Sequence, residues 1–592
     1  MNTDMLVVGV YFVFMIAIGV IFKRFAGSST SDYFRGGGKM LWWMVGSTAF
    51  MTQFSAWTFT GAAGKAFNDG FPIMVVFMAN AFGFLLSWLY FSHRFRQMRV
   101  ITPIEGVRRR FGSTNEQVFT WATMPTSIIY TGIWLNGLAL FVSAVFKVDI
   151  STTIVITGLI VLFISVIGGA WGVVASDFVQ MVVIMSVTVV CAVAALIKIG
   201  GPSNLIEQFP AESIMGSNMN YSLLFVSWFI FMFVKQLQNI NNMQDSYRFL
   251  TAKDSANARK AALLAFVLML IGPAIWFLPP WVTAVIYPEA ATAHAAELGK
   301  KASDAVYLVF VEKAMPVGMV GLLMSAVFAA TMSSMDSGLN RNAGIFVRNF
   351  YAPIIDKKAD DKKLMRVSQV VTLCFGGLII LVALFINSLR GLSLFDAMMY
   401  VSTLLQMPIL VPLFFGIFIK KTPDWAAWAT LVVGIAVSYL VSFVITADVV
   451  ASWLNLETPF TGREASDLKV LLGIMGHLFI TGGFFCLTTK FYKEPEVTRQ
   501  TELQEFWQDV ATPVIEAEGQ DEIDRQQRYM LGRLILVFGA LVTLMVLIPN
   551  PFWGRMAFIF VGAVIACIGS LLLKSAKVTA ENTAGTFNSI SS

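Results

Sequence analysis

Repeated apolar runs constrain the fold of this 592-residue chain more than any other feature of its sequence. Most of the runs are long enough for one helix to cross a bilayer, which takes about 20 residues. Charged residues make up only 13% of the chain, about half of what a soluble domain carries. Because backbone polar groups in lipid must be paired within helices or closed barrels, the pattern predicts an all-α polytopic membrane protein.

The apolar runs are separated mostly by short polar connections. Segment 491–530 is the longest polar connection; we expect it to be cytoplasmic and to form a surface helix. The length criterion predicts about fifteen transmembrane helices, at 4–23, 42–66, 70–92, 116–146, 151–169, 174–199, 221–250, 260–287, 316–345, 365–388, 392–419, 424–447, 469–490, 531–548 and 554–574.

The positive charges lie mainly on one side of these spans. Basic clusters such as "HRFRQMR" (93–99), "RRRFG" (108–112) and "DKKADDKK" (356–363) fall in connections on that side. Cytoplasmic loops carry an excess of Lys and Arg. We therefore expect a multi-pass protein of the cell inner (plasma) membrane, with its N-terminus outside and its C-terminus in the cytoplasm. The net charge of +6 then reflects topology and indicates no nucleic-acid partner.

Two of the predicted spans have polar middles. One contains "TQFSAWTFTGAAG" (52–64), and the other contains "VKQLQNINNMQDSYRF" (234–249). They lie five spans apart, so they open successive blocks of five spans with opposite orientations. Interrupted helices at matching places in inverted halves indicate the central site of a transporter. The alternative is a pair of ordinary helices that hydrogen-bond across a bundle.

A third span, which contains "SAVFAATMSSMDSGLNRN" (325–342), carries small and hydroxyl residues on one face. Ala330, Ser333, Ser334 and Ser337 are spaced three or four residues apart and therefore share that face. Asp336 lies beside it, and a carboxylate within a membrane is usually functional. Free carbonyls from a broken helix and hydroxyls are hard oxygen ligands, which suit a weakly held Na⁺.

Several stretches together resemble the solute:sodium symporter family, which includes the sodium/glucose cotransporters. The resemblance covers roughly residues 5–490 and is carried by "SDYFRGGGKMLWWMVGSTAF" (31–50), "FSAWTFTGAAG" (54–64), "TPIEGVRRRFG" (102–112), "GGAWGVVASDFVQ" (168–180), "TAKDSANARKA" (251–261) and "FAATMSSMDS" (328–337).

The resemblance implies a LeuT-like fold, with a five-plus-five inverted-repeat core. Residues 1–41 would then hold the first transmembrane helix and a cytoplasmic loop. Residues 42–419 would form the ten-helix transport core. Residues 420–592 would supply peripheral transmembrane helices, the cytoplasmic segment 491–530 and a short C-terminal tail.

The resemblance also implies a sodium site. Its ligands would be the backbone carbonyls of Met51, Phe54 and Ala330 and the hydroxyls of Ser333 and Ser334. Ala330, Ser333 and Ser334 are also among the residues that the spacing selects, and the coupling ion would be Na⁺.

Some members of the family have a second sodium site, which here would comprise Asp177, Asp336 and Ser337. Asp336 stands where those members have a hydroxyl. It either strengthens a second cation site or binds a proton. Considered without the resemblance, Asp177 lies near the end of its span, and a solvated helix cap after Ser176 is then the preferred interpretation.

The expected solute-binding residues are Trp57, Thr58, Asn242 and Lys235. Trp57 and Thr58 replace an acid and an amide of sugar-carrying members, so the pocket is not a copy of the glucose type. Trp57 either stacks on a sugar ring or packs against another small solute. Lys235 either attracts an anion or extends its charged end to the outer surface.

These expectations describe a sodium-coupled symporter, not an enzyme, that imports a small polar organic solute by alternating access. A sugar or sugar acid is the first substrate class, and an amino acid or other small carboxylate is the alternative. Na⁺, the solute and the lipid bilayer are the expected partners, and the oligomeric state stays open. A sensor or a channel built on a transporter fold is a more remote alternative.

Overall fold

The helix that the sequence predicts to be broken is interrupted in the computed structural model. After α1 (Thr3–Lys23), helix α2 (Trp42–Met51) ends at Met51, and the chain continues as α3 (Ala56–Phe59) and α4 (Gly61–Asp69). The structure describes residues 3–23, 29–210, 216, 218–292, 299–389, 392–515 and 521–590.

Local chemistry explains where the break falls. Ser55 is extended, with φ −153° and ψ −179°, and its hydroxyl accepts a hydrogen bond from the backbone N–H of Trp57, which caps α3. Thr60 has φ −114° and ψ −93°, which separates α3 from α4. Ser and Thr favour helix starts because their hydroxyls pair with unsatisfied N–H groups. The break therefore leaves polar backbone near the middle of the span.

The described residues contain helices and no strand, which confirms the all-α class. The remaining helices used below are α5 (Ile73–Leu86), α6 (Ser113–Phe146), α7 (Ile150–Ile199), α8 (Ser222–Ile240), α9 (Ser255–Trp276), α10 (Met319–Ile345), α11 (Asp361–Ser388), α12 (Leu394–Tyr400), α13 (Met407–Phe415), α14 (Ala426–Tyr439), α15 (Gly462–Met475), α16 (Val497–Ala511), α17 (Asp521–Leu544) and α18 (Phe552–Ile590).

Thirteen helices of the described residues are long and apolar enough to cross a membrane. The broken α2–α4 segment is not among them. Residues 151–169 and 174–199, predicted as two spans, belong to the continuous helix α7; Trp171–Ile199 qualifies as a span, whereas Ile150–Phe163 is a shorter apolar helix. The multi-pass architecture is thus confirmed, and the number of about fifteen spans stays a prediction.

The second predicted interruption is also present. Helix α8 ends at Ile240, and Asn241 leaves the helical region with φ −114° and ψ 53°. A short turn over Gln244–Ser246 and a helix over Tyr247–Leu250 follow. The Asn241 amide donates to the carbonyl of Gly83 on α5 at 2.9 Å, which fixes the interrupted segment against the first half of the molecule.

Helix α10 is the most buried long span. It packs mainly against α7, α6 and α1. In its most apolar 18-residue stretch, 94% of the residues are buried. Gly321 lets the start of α1 approach, because a side chain there would lie 2.5 Å from the backbone of Asp4. The Asp4 carboxylate accepts the Gly321 N–H at 2.7 Å. The hydroxyl face of α10 is therefore held in the centre of the molecule.

Helix α16 is the helix expected in segment 491–530. Asp509 near its end pairs with Arg99 at 3.0 Å and with Arg109 at 2.8 Å. Arg499 near its start pairs with Asp424 at 3.0 Å. The helix therefore ties together loops next to α6 and α14, which the sequence assigns to the cytoplasmic side.

Candidate functional site

The broken helix and α10 meet through hydrogen bonds. The Ser334 hydroxyl donates to the carbonyl of Phe54 at 2.9 Å and approaches the carbonyl of Met51 at 3.3 Å. In the same region the backbone N–H of Ala56 donates to the Thr331 hydroxyl at 3.2 Å. The carbonyls that the break frees thus face the hydroxyl side of α10, as a site for a hard cation requires.

Ser333 and Ala330 lie next to this contact on α10, and both are fully buried. The Ser333 hydroxyl has no hydrogen-bond partner among the described residues. It lies near the carboxylate of Asp177, as does the hydroxyl of Thr48 on α2, but neither hydroxyl completes a hydrogen bond to that acid. Sequence reasoning did not select Thr48. The structure therefore brings the five expected sodium ligands to one region and places an acid beside them.

The three residues of the expected second cation site have different neighbours. Asp177 is fully buried, and neither of its carboxylate oxygens completes a hydrogen bond with a described residue. Asp336 accepts a hydrogen bond from Ser165 on α7, and its carboxyl group lies within electrostatic range of Asp177. The Ser337 hydroxyl is also buried without a hydrogen-bond partner in the described chain. These three oxygen-bearing side chains are therefore buried on two helices, α7 and α10, that pack against each other.

A polar cavity lies between the broken helix, α6, α8 and the π-helical segment Val401–Gln406. It has two lobes of about 80 Å³ each, against the ~10–15 Å³ that a single water needs. Residues common to both lobes are Thr52, Gln53, Tyr130, Trp134 and Asn239. The central lobe adds Ser55, Trp57, Val76, Phe77, Asn80, Gln236, Met398, Met399 and Ser402. The arginine lobe adds Thr126, Ser127, Gln244, Asp245, Tyr247, Arg248, Ser334, Gly338, Arg341 and Gln406.

Trp57 is the only one of the four expected solute-binding residues that lines this cavity within the described residues. Its indole N–H donates to the carbonyl of Leu394 at 3.1 Å. Its ring is stacked on Phe395, with centroids 5.7 Å apart, and faces Phe77 at 6.3 Å. In this arrangement Trp57 closes the central lobe toward α12.

The other three expected solute-binding residues do not line the cavity and lie behind the residues that do. Thr58 is buried, and its hydroxyl has no partner among the residues that the structure describes. Asn242 donates to the Asp245 carboxylate at 3.0 Å and therefore orders the interrupted segment. Lys235 is only 2% exposed, so its charged end does not extend to the outer surface. Its ammonium donates to the hydroxyl of Ser402, a lining residue, at 2.5 Å.

Sequence reasoning missed several lining residues. Gln236 and Asn239 lie in the polar run of α8, so their sequence signal was present, although Asn242 was chosen instead. Tyr130 and Trp134 are four residues apart on α6, which places them on one helix face. Gln53 lies in the break itself. Their amides and ring edges give the cavity hydrogen-bonding groups beside aromatic surface.

An ion pair between two distant spans was also missed. Asp245 pairs with Arg248 at 3.0 Å, and Arg341 on α10 approaches the same carboxylate at 3.7 Å. In the described structure, Nε and Nη1 of Arg248 and Nε of Arg341 have no hydrogen-bond partner. The arginine lobe therefore carries two guanidinium groups for one carboxylate.

A four-charge cluster lies beyond Phe395, at the end of the cavity away from the arginine lobe. Lys65 pairs with Asp69 at 2.6 Å, and Arg463 contacts both Asp69 and Asp467 at 3.4 Å. The Lys65 ammonium also lies 5.1 Å from the centre of the Phe395 ring. The cluster joins α4 to α15, so it closes this end of the cavity.

Asp304, in the segment that connects α9 to α10, lies at the same end of the cavity and contacts α12. Burial raises the pKa of Asp304 from its ordinary value of 3.8 to about 7, although the backbone N–H of Leu394 and the charge of Lys301 favour the ionised form. The Leu394 N–H lies 3.3 Å from the carboxylate. Gly64 of α4 permits the approach, because a side chain there would lie 3.0 Å from Asp304.

A broken helix whose freed carbonyls face the hydroxyls of α10, next to a polar cavity, is an arrangement typical of a cation-coupled secondary transporter. A model of the sodium:solute symporter family matches residues 33–434. The chain belongs to this family. It is a transporter and not an enzyme, and Na⁺ is its coupling ion.

Known relatives cover most of the chain. The sodium/myo-inositol cotransporter 2 of Rattus norvegicus is 24% identical over 463 residues, which cover 73% of this chain and 68% of the relative. The sodium/glucose cotransporter 4 of Danio rerio is 25% identical, with 73% and 70% covered. The sodium/sialic acid symporter NanT of Aliivibrio fischeri is 25% identical, with 71% and 84% covered.

A solved structure supports the fold. A Na⁺-coupled sialic acid symporter in a substrate-bound, outward-open state superposes with a TM-score of 0.66 and 21% identity. The match covers 83% of this chain and 98% of that structure. This similarity confirms the LeuT-like fold with its five-plus-five inverted-repeat core.

Proposed function

We propose that this symporter imports a sugar or sugar acid together with Na⁺ by alternating access. The observation that carries the proposal is the lining of the central lobe, where the amides of Gln53, Asn80, Gln236 and Asn239 lie beside the rings of Trp57 and Trp134. Amides can exchange hydrogen bonds with several hydroxyls, and aromatic faces pack against the apolar face of a sugar ring. The relatives named for myo-inositol, glucose and sialic acid support the same substrate class.

The proposed sodium ligands are the carbonyls of Met51, Phe54 and Ala330 and the hydroxyls of Ser333 and Ser334. The contacts of Ser334 with the Met51 and Phe54 carbonyls support this set. When Na⁺ enters, the Ser334 hydroxyl turns its oxygen toward the ion. Na⁺ thereby joins the two parts of the core and favours one orientation of the broken helix.

A second cation site at Asp177, Asp336 and Ser337 is part of the proposal. Its support is the burial of two mutually repelling carboxylates in one region. Buried charges are costly unless a partner neutralises them, and either a cation or a proton meets that need.

An amino acid or other small carboxylate is the second candidate solute. The two guanidinium groups of the arginine lobe favour it, because an acid can pair with them. A sensor or channel receives no such support, and neither is proposed.

We place the protein in the cell inner (plasma) membrane with its N-terminus outside and its C-terminus in the cytoplasm. The basic connections 93–99, 108–112 and 356–363 support this orientation. In a variant that lacks the native cysteines, cysteines introduced at Lys313 and Glu502 should be labelled from opposite sides. Labelling of both from one side would overturn the orientation.

The proposed division of the chain follows from the same topology. Residues 1–41 form the first span and a cytoplasmic loop, 42–419 the transport core, and 420–592 the peripheral spans with segment 491–530. The bonds of α16 to loops near α6 and α14 support an attached rather than independent cytoplasmic segment.

Counterflow in proteoliposomes tests the substrate class. Vesicles loaded with one unlabelled solute should accumulate its labelled form only when Na⁺ is present. The panel comprises neutral sugars, uronates and amino acids. Na⁺-dependent counterflow of a sugar or uronate supports the proposal, whereas counterflow of amino acids alone would replace it with the second candidate.

A further inference from the structure

Lys235 is a buried cation with an unusual set of neighbours. It lies on α8 with 2% of its surface exposed. Its ammonium donates to Ser402 at 2.5 Å and lies 4.0 Å from the sulfur of Met399. A hydroxyl and a thioether leave its charge uncompensated. Burying a charge in this way is costly unless an opposite charge approaches.

The surrounding helices offer no carboxylate for this role among the described residues. On α15, Asp467 belongs to the four-charge cluster, and Glu464 accepts the backbone N–H of Tyr221 at 2.7 Å. On α12, Asp396 accepts the hydroxyl of Ser466 at 2.7 Å. Each nearby acid is therefore already satisfied by another group.

The ammonium is nevertheless close to the cavity. Lys235 and Asn239 are four residues apart on α8, so they share a helix face, and Asn239 lines both lobes. Ser402 and Met399, the two groups that Lys235 contacts, line the central lobe. The side chains of Ser402 and Met399 therefore stand between the ammonium and that lobe.

The side chains in and around the cavity carry a net positive charge, as Lys235 does. Lys235, Arg248 and Arg341 contribute three positive charges, and Asp245 contributes one negative charge, which leaves a surplus of two. The unpaired N–H groups of Arg248 and Arg341 extend this surplus into the arginine lobe. A neutral sugar would leave these charges uncompensated, whereas an acid would neutralise part of the surplus.

We propose that Lys235 binds the acidic group of the transported solute, so that the substrate is a sugar acid and not a neutral sugar. This inference rests on the proposed function and specifies its substrate class. Ser402 positions the ammonium, and Gln53, Asn80, Gln236 and Asn239 bind the hydroxyls of the solute. The guanidinium groups of the arginine lobe provide a second position for the acid on its way out of the cavity.

An acidic solute changes the net charge that each transport cycle moves across the membrane. A solute with one negative charge cancels one Na⁺, so each cycle moves one positive charge fewer than the number of Na⁺ ions carried. With a single Na⁺ the cycle moves no net charge. Labelled uptake is therefore the appropriate readout, and the ratio of charge to solute is a second measurement.

The test uses the full chain in proteoliposomes with an inward Na⁺ gradient. Glucuronate is compared with glucose, and galacturonate with galactose, so that each pair differs chiefly in the acid. Loss of one charge-assisted bond corresponds to a preference of roughly ten- to a hundredfold. We expect each acid to be taken up with an apparent affinity at least about tenfold higher than its neutral partner.

Lys235→Gln should remove most of this preference, and Lys235→Arg should retain part of it. Lys313→Gln is the matched control, because Lys313 is an exposed lysine paired with Glu289 far from the cavity. Stabilisation by Na⁺ in a thermal-unfolding assay shows whether Lys235→Gln is folded, because the sodium ligands lie on other helices. If this variant does not fold, the preference of the unaltered protein for each acid over its neutral partner decides whether the substrate is a sugar acid.

The outcomes separate the inference from the function on which it rests. Equal Na⁺-dependent uptake of neutral sugars and acids, or an acid preference that survives in a folded Lys235→Gln variant, overturns the role of Lys235 and leaves sugar transport intact. Uptake of amino acids, without uptake of either sugar class, overturns both the inference and the proposed substrate.

Discussion

The hydroxyl of Ser334 lies 2.9 Å from the carbonyl oxygen of Phe54, across the contact between α10 and the broken helix. This hydrogen bond joins two halves of the core that sequence places 280 residues apart. It involves the carbonyl that we propose as a Na⁺ ligand, so one hydrogen bond joins two of the proposed ligands directly.

The first prediction concerns these ligands. Ser333→Ala and Ser334→Ala each remove a hard oxygen, at a cost of about 1–3 kcal/mol. The Na⁺ concentration for half-maximal uptake should therefore rise roughly tenfold or more. Ser325→Ala is the matched control, because that hydroxyl bonds within α10 to the Gly321 carbonyl. An unchanged Na⁺ dependence in the Ser333/Ser334 double variant would exclude these hydroxyls from the site.

The second prediction concerns Asp336. If it completes a second cation site with Asp177, Asp336→Asn should lower the number of Na⁺ ions carried per solute. If it carries a proton, uptake by the unaltered protein should depend on pH, and the variant should lose that dependence. Flux ratios of ²²Na⁺ to labelled solute, measured across pH, distinguish the two roles. The same ratio and pH profile in both proteins would leave Asp336 a structural partner of Ser165.

The third prediction separates backbone from side-chain roles in the break. Met51→Leu should leave the Na⁺ affinity nearly unchanged, because only the Met51 carbonyl faces Ser334. Trp57→Ala should weaken solute affinity by about 1–3 kcal/mol if the ring packs on the solute. Gly61→Leu should stop transport, since even a first side-chain carbon would lie 2.8 Å from the backbone of Phe395. Loss of Na⁺ coupling in Met51→Leu, with intact solute affinity in Trp57→Ala, would reverse this assignment.

The fourth prediction concerns pH and the closure near Asp304. Because its pKa is raised from 3.8 to about 7, the folded protein holds this proton more tightly than the unfolded chain. Its contribution to stability is greatest below about pH 4 and is lost as the pH rises to about 7. The change amounts to at most about 4 kcal/mol.

Asp304→Asn should flatten this part of the stability profile, measured as Tm against pH in detergent. Asp448→Asn, at an exposed carboxylate, is the control and should retain the profile of the unaltered protein. An identical slope in Asp304→Asn would show that this acid does not titrate with folding.

The sequence predicted the two interruptions because polar residues within an apolar run are a local signal. The face of α10 was equally accessible, since Ser333 and Ser334 follow from helical spacing. Thr58 lies on α3, which is one turn long and ends where Thr60 leaves the helical region. It lines neither lobe, and its role in solute binding stays a prediction.

Partners brought together by tertiary packing were not predictable in this way. Asp245 and Arg341 lie on different spans, and neither sequence context indicates the other. Asn239 and Asn242 lie in one amide-rich run, but the end of α8 at Ile240 separates them. Asn239 lines the cavity, whereas Asn242 follows the helix end and donates to Asp245.

The four-charge cluster has a consequence for the response to membrane voltage. Lys65 and Asp69 both belong to α4, and Arg463 and Asp467 both belong to α15. Each helix therefore carries a neutral pair. When α4 and α15 separate, no net charge is displaced through the electric field, although moving one elementary charge across 100 mV is worth about 2.3 kcal/mol. The separation of these two neutral pairs therefore adds no net gating charge of its own to opening at this end.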